Sequence, residues 1–193
     1  MLQIRPVFSC YFCYDNHSCR ECPLEKKMSP ILKKYIGDTM EKYIADNIPC
    51  IKCKQQTLVV LGDNSPSLDI VCSNCSINIE VKSKCLSVNI LPKDITLPHG
   101  NYNKYKNRIK SELDLFIIIY KIDRVMKNVI IREILYAPHT IFQNSNIIKV
   151  IKCDNNNSSM IVINDRTQLQ KINIYENNIL NFQNIIEEYI QKN

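Results

Sequence analysis

The chain has 193 residues, 45% of them hydrophobic, enough for one sizeable core and a small appendage. The formal charge is +6, from 25 Lys and Arg against 19 Asp and Glu. An excess of six on a chain of this length argues only weakly for nucleic acid. No apolar run reaches the roughly eighteen residues a membrane helix needs, which predicts no membrane partner. Met1–Cys10 has a short apolar stretch broken by Arg5 and Pro6, which argues against a secretory leader.

Cysteine usage points the same way. Eight of the ten cysteines fall in C-x2-C pairs, a pattern that suits metal better than disulfides. A reducing, intracellular setting is therefore expected, in cytoplasm or nucleus. Three glycines, no tryptophan and abundant Ile, Asn and Lys reflect an AT-rich source, with a virus among the candidates, more than a physical requirement.

In chain order, residues 8–23 carry Cys10, Cys13, Cys19 and Cys22. Four thiolates this close can close around one zinc, and so short a segment would have little structure without it. Residues 1–26 are accordingly read as a small zinc module and 27–193 as the main domain. Tyr11, Phe12 and Tyr14 either pack around that metal or stack on bases. Ser29 and Pro30 can start a helix, and Ile31, Leu32, Tyr35, Ile36, Met40, Tyr43 and Ile44 keep near-helical spacing to about Asp46. Gly37 predicts a bend or a break in it.

Strands are predicted at Leu58–Leu61, Leu68–Cys72 and Ile77–Lys82. Residues 86–98, holding Pro92 and Pro98, read as irregular. A basic helix is expected from Asn101 to about Leu113, with Lys104, Lys106, Arg108 and Lys110 either solvated or tracking phosphates. Leu115–Tyr120 is a nearly continuous apolar run, hence a strand buried on both faces. Val129–Tyr136, Ile147–Ile151 and Met160–Ile163 are further strands, and His139-Thr140 opens a turn or short helix. Asn178–Gln191 has the apolar stripe of a terminal helix.

The chemistry concentrates in Pro66–Lys84. Asp69 precedes Glu80 by eleven residues, and Lys82 follows on the same strand face as Glu80. Two carboxylates can hold a hard divalent cation through oxygen. A lysine beside them can position water or neutralise charge developing on a phosphate. A lone Glu-x-Lys is usually a solvated strand face, but this one has company. Cys50 and Cys53, an eighteen-residue gap, then Cys72 and Cys75 have zinc-ribbon spacing. The second pair links the Asp69 strand to the Glu80 strand.

With its order PC-x2-C … P-x-x-D-x-x-C-x-x-C-x4-E-x-K-S-K, the chain resembles the catalytic domain of the DpnI-type methyl-directed restriction endonucleases, a branch of the PD-(D/E)-x-K nucleases. The likeness runs from about Glu41 to Lys121 and more weakly to about Ile174. Pro66 stands three residues before Asp69 rather than next to it.

The resemblance implies an α/β fold, with a mixed central sheet flanked by helices in αβββαβ order and an embedded zinc ribbon at 50–75. It implies Asp69, Glu80 and Lys82 as the catalytic residues. Asp69, Glu80 and the Val81 carbonyl would hold Mg²⁺, with Mn²⁺ as a substitute. Cys50, Cys53, Cys72 and Cys75 would hold structural zinc. Glu41, on the helix before the ribbon, either completes the metal shell or is a solvated glutamate. The implied partner is double-stranded DNA, cut at adenine-methylated GATC-like sites by a homodimer or by sequential nicking. A reading from another class stands beside this one: a zinc ribbon that binds DNA or a polymerase without catalysis.

Overall fold

The computed structural model describes residues 30–62, 68–86, 91–101, 113–123, 128–152, 158–174 and 179–181. The four-cysteine segment of residues 1–26, with Cys10, Cys13, Cys19 and Cys22, lies outside them. So do residues 102–112, where the basic helix is expected.

Helix α1 spans Pro30–Asn47. Proline at its first position has no amide to leave unpaired there. Ile36, Met40, Tyr43 and Ile44 recur every three or four residues and are buried together. The helix runs unbroken through Gly37, where an added Cβ would meet nothing within 4 Å. Packing of the stripe therefore overrides the glycine's weak helix propensity. The helix stops before Pro49, because a residue preceding proline is pushed out of helical backbone. The Asn47 side chain donates to the Tyr43 carbonyl at 2.9 Å and closes the last turn.

Ten strands follow among the described residues: β1 (Leu58–Val60), β2 (Ile70–Cys72), β3 (Asn78–Cys85), β4 (Ile95–Asn101), β5 (Leu113–Asp123), β6 (Asn128–Ala137), β7 (Ile148–Lys152), β8 (Ser158–Ile163), β9 (Gln170–Ile172) and β10 (Ile179–Asn181). The main sheet has the order β1-β2-β3-β5-β6-β10, with β9 also on β6. β3 and β5 run parallel, in register from Asn78 opposite Leu113 to Cys85 opposite Tyr120. The other pairs are antiparallel, so the sheet is mixed.

β5 is the centre of the molecule. Phe116, Ile118, Tyr120 and Ile122 join the core under α1, while Leu115, Ile117 and Ile119 join a second core on the opposite face. Burial of each such isoleucine or leucine stabilises the fold by roughly 1.5–3 kcal/mol. This is the strand with two apolar faces that the unbroken run predicts.

Two expectations, at β4 and at β10, are corrected. Among the described residues α1 covers one face of the sheet, and the other helices expected to flank it fall largely on residues 102–112 and 182–193, outside the described set. A second sheet, β4-β8-β7, covers the face opposite α1. Its strand β4 occupies part of the stretch read as irregular. Pro98 fits there because β4 is an edge strand and its pairing with β8 shifts between Pro98 and Gly100. Ile179–Asn181, expected to begin a helix, is β10 instead; residues 182–193 lie outside the described set. β9 pairs Ile134–Tyr136 of β6, and β10 takes the Asn128–Ile130 part of β6.

Candidate metal centre and carboxylate–lysine site

The four-cysteine ribbon is built from two copies of one local turn. Lys54 N–H donates to the Cys50 carbonyl at 2.8 Å, and Ser76 N–H to the Cys72 carbonyl at 2.9 Å. Cys50 N–H reaches the Gln55 carbonyl, and Cys72 N–H the Ile77 carbonyl, at 2.9 and 3.0 Å. The residue after each pair turns left-handed, Lys54 at φ 61° and Ser76 at φ 57°. Each costs about 1–2 kcal/mol that glycine would not.

The two turns face each other. The four sulfur atoms lie within 4.8 Å of one another, with Cys50 to Cys75 at 3.5 Å and Cys53 to Cys72 at 3.7 Å. Zinc–sulfur bonds of about 2.3 Å in a tetrahedron put sulfurs about 3.8 Å apart, so the four thiols could hold one zinc ion. Thr57 Oγ1 lies 3.1 Å from Cys72 Sγ, and the Thr57 carbonyl accepts from Ser73 N–H at 2.9 Å. This residue therefore ties the first turn to the second. Burial pushes the Cys50 thiol up to about 12. Burial alone would raise Cys72 too, but hydrogen bonds from Thr57 and from the Cys75 and Asn74 amides outweigh it and bring it to about 6.

The second turn is also the hairpin between β2 and β3, and it fixes their register at Ile70 opposite Ile79. Asp69 stands at the mouth of that hairpin. Its N–H donates to the Ile79 carbonyl at 3.2 Å, and its carbonyl accepts from Leu61 N–H at 2.9 Å. Because β2 begins at Ile70, it offers no ladder carbonyl to Val81. The Asp69 side chain takes that place, and its Oδ2 accepts from Val81 N–H at 2.7 Å. In a strand, the N–H and C=O of one residue point to the same edge. The Val81 carbonyl thus faces the Asp69 edge as well.

Glu80 and Lys82 lie on one face of β3, opposite Leu115 and Ile117 of β5. Glu80 is only 6% exposed, and Lys82 Nζ is 2.5 Å from its Oε1. Burial lowers the Lys82 pKa, while the charges of Asp69 and Glu41 pull it back up. Both carboxylates are thus close enough to act on the lysine. The structure brings Asp69, Glu80, Lys82 and Glu41 into one electrostatic neighbourhood, with Val81 between them. Three carboxylates thus act on one ammonium there.

A second polar cluster was not anticipated. Asp114, 2% exposed, accepts from the Tyr136 hydroxyl at Oδ2 and from His139 N–H at Oδ1, 2.7 Å away. His139 Nδ1 is 3.2 Å from the same oxygen. Burial, then the bond to Asp114, raises the Tyr136 phenol well above its ordinary pKa. The available signal was a lone acid at the head of an apolar strand. Glu133, 3% exposed on β6, similarly meets Arg166, and Lys171 at 3.5 Å.

A mixed α/β sheet carrying a carboxylate–lysine site and a four-cysteine cluster is compatible with a nuclease-like core. The chain belongs to the DpnI family, the Dam-replacing family, whose pattern it matches over residues 31–193. The match extends past the region carried by the motifs alone. Membership implies a restriction-type nuclease acting on DNA in a modification-dependent way. A search among curated proteins gave no match. No helix of the described residues is long and apolar enough to cross a membrane, which leaves β-barrels unaddressed.

Proposed function

We propose that this protein is a divalent-metal-dependent endonuclease that hydrolyses phosphodiester bonds of double-stranded DNA at adenine-methylated GATC-like sites. One observation carries the reading: the Asp69 carboxylate is seated on the Val81 amide, beside the ion pair of buried Glu80 and half-buried Lys82. Asp69, Glu80 and the Val81 carbonyl would hold Mg²⁺ or Mn²⁺, and Glu41 would complete the shell. When bound, such an ion lowers the pKa of a water and stabilises charge on a phosphate.

Lys82 has two tasks in this reading. It orients the attacking water, and it neutralises charge on the pentacoordinate phosphate. Water oxygen bonds to phosphorus, the P–O3′ bond breaks, and a 5′-phosphate and 3′-hydroxyl remain. Glu80 holds the Lys82 ammonium in place until substrate arrives. The ribbon cysteines would hold a structural zinc, since four thiolates leave no open position for water. Residues 1–26 would carry a second zinc on Cys10, Cys13, Cys19 and Cys22, and a homodimer would cut both strands. The setting is intracellular, where thiols stay reduced.

The test is cleavage of paired plasmids, adenine-methylated and unmethylated at GATC, with Mg²⁺ or Mn²⁺. Cutting of the methylated plasmid alone, lost in Lys82→Ala, is the expected outcome. Cutting of both discards the methyl requirement. DNA binding without cutting favours a non-catalytic zinc-ribbon protein.

A further inference from the structure

The two cysteine turns present a surface that the carboxylate–lysine site does not use. Lys52 and Lys54 project from the first turn, Ser76 from the second and Asn78 from the start of β3; all four are exposed. Neither lysine forms an ion pair among the described residues. No acidic residue occurs from Asn47 to Gly62 or from Ile70 to Ile79. The face is thus cationic and amide-rich, with no acid paired to it among the described residues.

The backbone adds an independent observation. Lys54 and Ser76 occupy the equivalent left-handed position of each turn, where glycine would sit without steric cost. Both turns keep a side chain there, and side chains retained in strained backbone cluster at functional sites. The position completes the case. Ser76 ends the turn two residues before β3, the strand that carries Glu80 and Lys82. The second turn therefore leads directly into the part of β3 that bears the carboxylate–lysine pair.

We infer that the tips of the cysteine turns are a duplex-DNA contact surface, with Lys52 and Lys54 on backbone phosphates and Ser76 beside them. The inference rests on the DNA reading above. It gives the ribbon a second task besides pinning the β2–β3 register.

The test uses the full chain in a Lys82→Ala background, so that DNA is not cut. Anisotropy of a labelled duplex with one adenine-methylated GATC is followed through a potassium chloride series. Lys52→Gln with Lys54→Gln should weaken binding to methylated and unmethylated duplex alike. It should also flatten the slope of log K against log salt by about 1.8, at about 0.9 per phosphate. Lys54→Gly should flatten the slope by about 0.9 and yet raise the melting temperature. Zinc content per chain should match the parent in every variant, because no ligand is touched. Unchanged slope and affinity in both variants, with the parent binding DNA, overturn the contact surface alone. A parent that binds no duplex overturns the DNA reading, and this inference with it.

Discussion

Asp69 has two duties in the structure, and substitution separates them. Its Oδ2 satisfies the Val81 amide at 2.7 Å, and its charge belongs to the carboxylate set around Lys82. Asp69→Asn keeps an acceptor for Val81 and removes the charge. Asp69→Ala removes both. A hydrogen bond to a charged group contributes about 1.5–3 kcal/mol, and Asp69 is only half-buried, so the lower end applies. Less carboxylate crowding beside Glu80 and Glu41 offsets part of that loss. Asp69→Ala should therefore cost about 1–2 kcal/mol and lower the melting temperature by about 3–6 °C for a chain of this size. Asp69→Asn should stay within about 0.5 kcal/mol of the parent, as substitutions that break no feature do. Both should lose cleavage about a hundredfold or more, because metal assistance supplies several kcal/mol and each 1.36 kcal/mol is about tenfold. Thermal melts and initial-rate plasmid cleavage, on the same preparations, read the two effects. Cleavage by Asp69→Asn at the parent rate would sink the proposed mechanism. Equal melting temperatures for the Ala and Asn variants would show that the Val81 contact carries no weight.

The remaining predictions are simpler. Gly37→Ala should stabilise the protein by about 0.5–1 kcal/mol, since the site is inside a helix with open space around it; an unchanged or lower melting temperature would contradict this. Glu133→Ala should cost about 3 kcal/mol by stranding Arg166 in a largely buried position, which denaturant titration would reveal as a lowered midpoint. Tyr136→Phe leaves a buried Asp114 oxygen without its donor and should cost about 1–3 kcal/mol in the same titration. Elemental analysis of the full chain should find two zinc ions, falling to one in Cys10→Ser with Cys13→Ser, and a strong chelator should lower the melting temperature of the parent.

Much of this was legible in the residues because the signal is local. The two C-x2-C pairs declare themselves by spacing, since each pair makes its own turn from five or six consecutive residues. Alternation along Ile77–Lys82 put Glu80 and Lys82 on one face, and the unbroken apolar run of β5 announced its two cores. The stripe from Ile36 to Ile44 marked α1, whose packing then overrode Gly37.

Contacts between distant segments were not legible. Pro98 reads as a breaker until β8 is seen to make β4 an edge strand with a register shift, where proline is tolerated. Ile179–Asn181 reads as helix until β6 supplies hydrogen-bond partners that local propensity does not count. Nothing near Asp114 in the chain names Tyr136 or His139, which reach it only because β6 returns antiparallel to β5. The placement of Asp69 on Val81 follows the same logic. The residue types and their order select the chemistry, but the late start of β2, at Ile70, leaves an amide vacant beside β3, and only the folded sheet sets a carboxylate there.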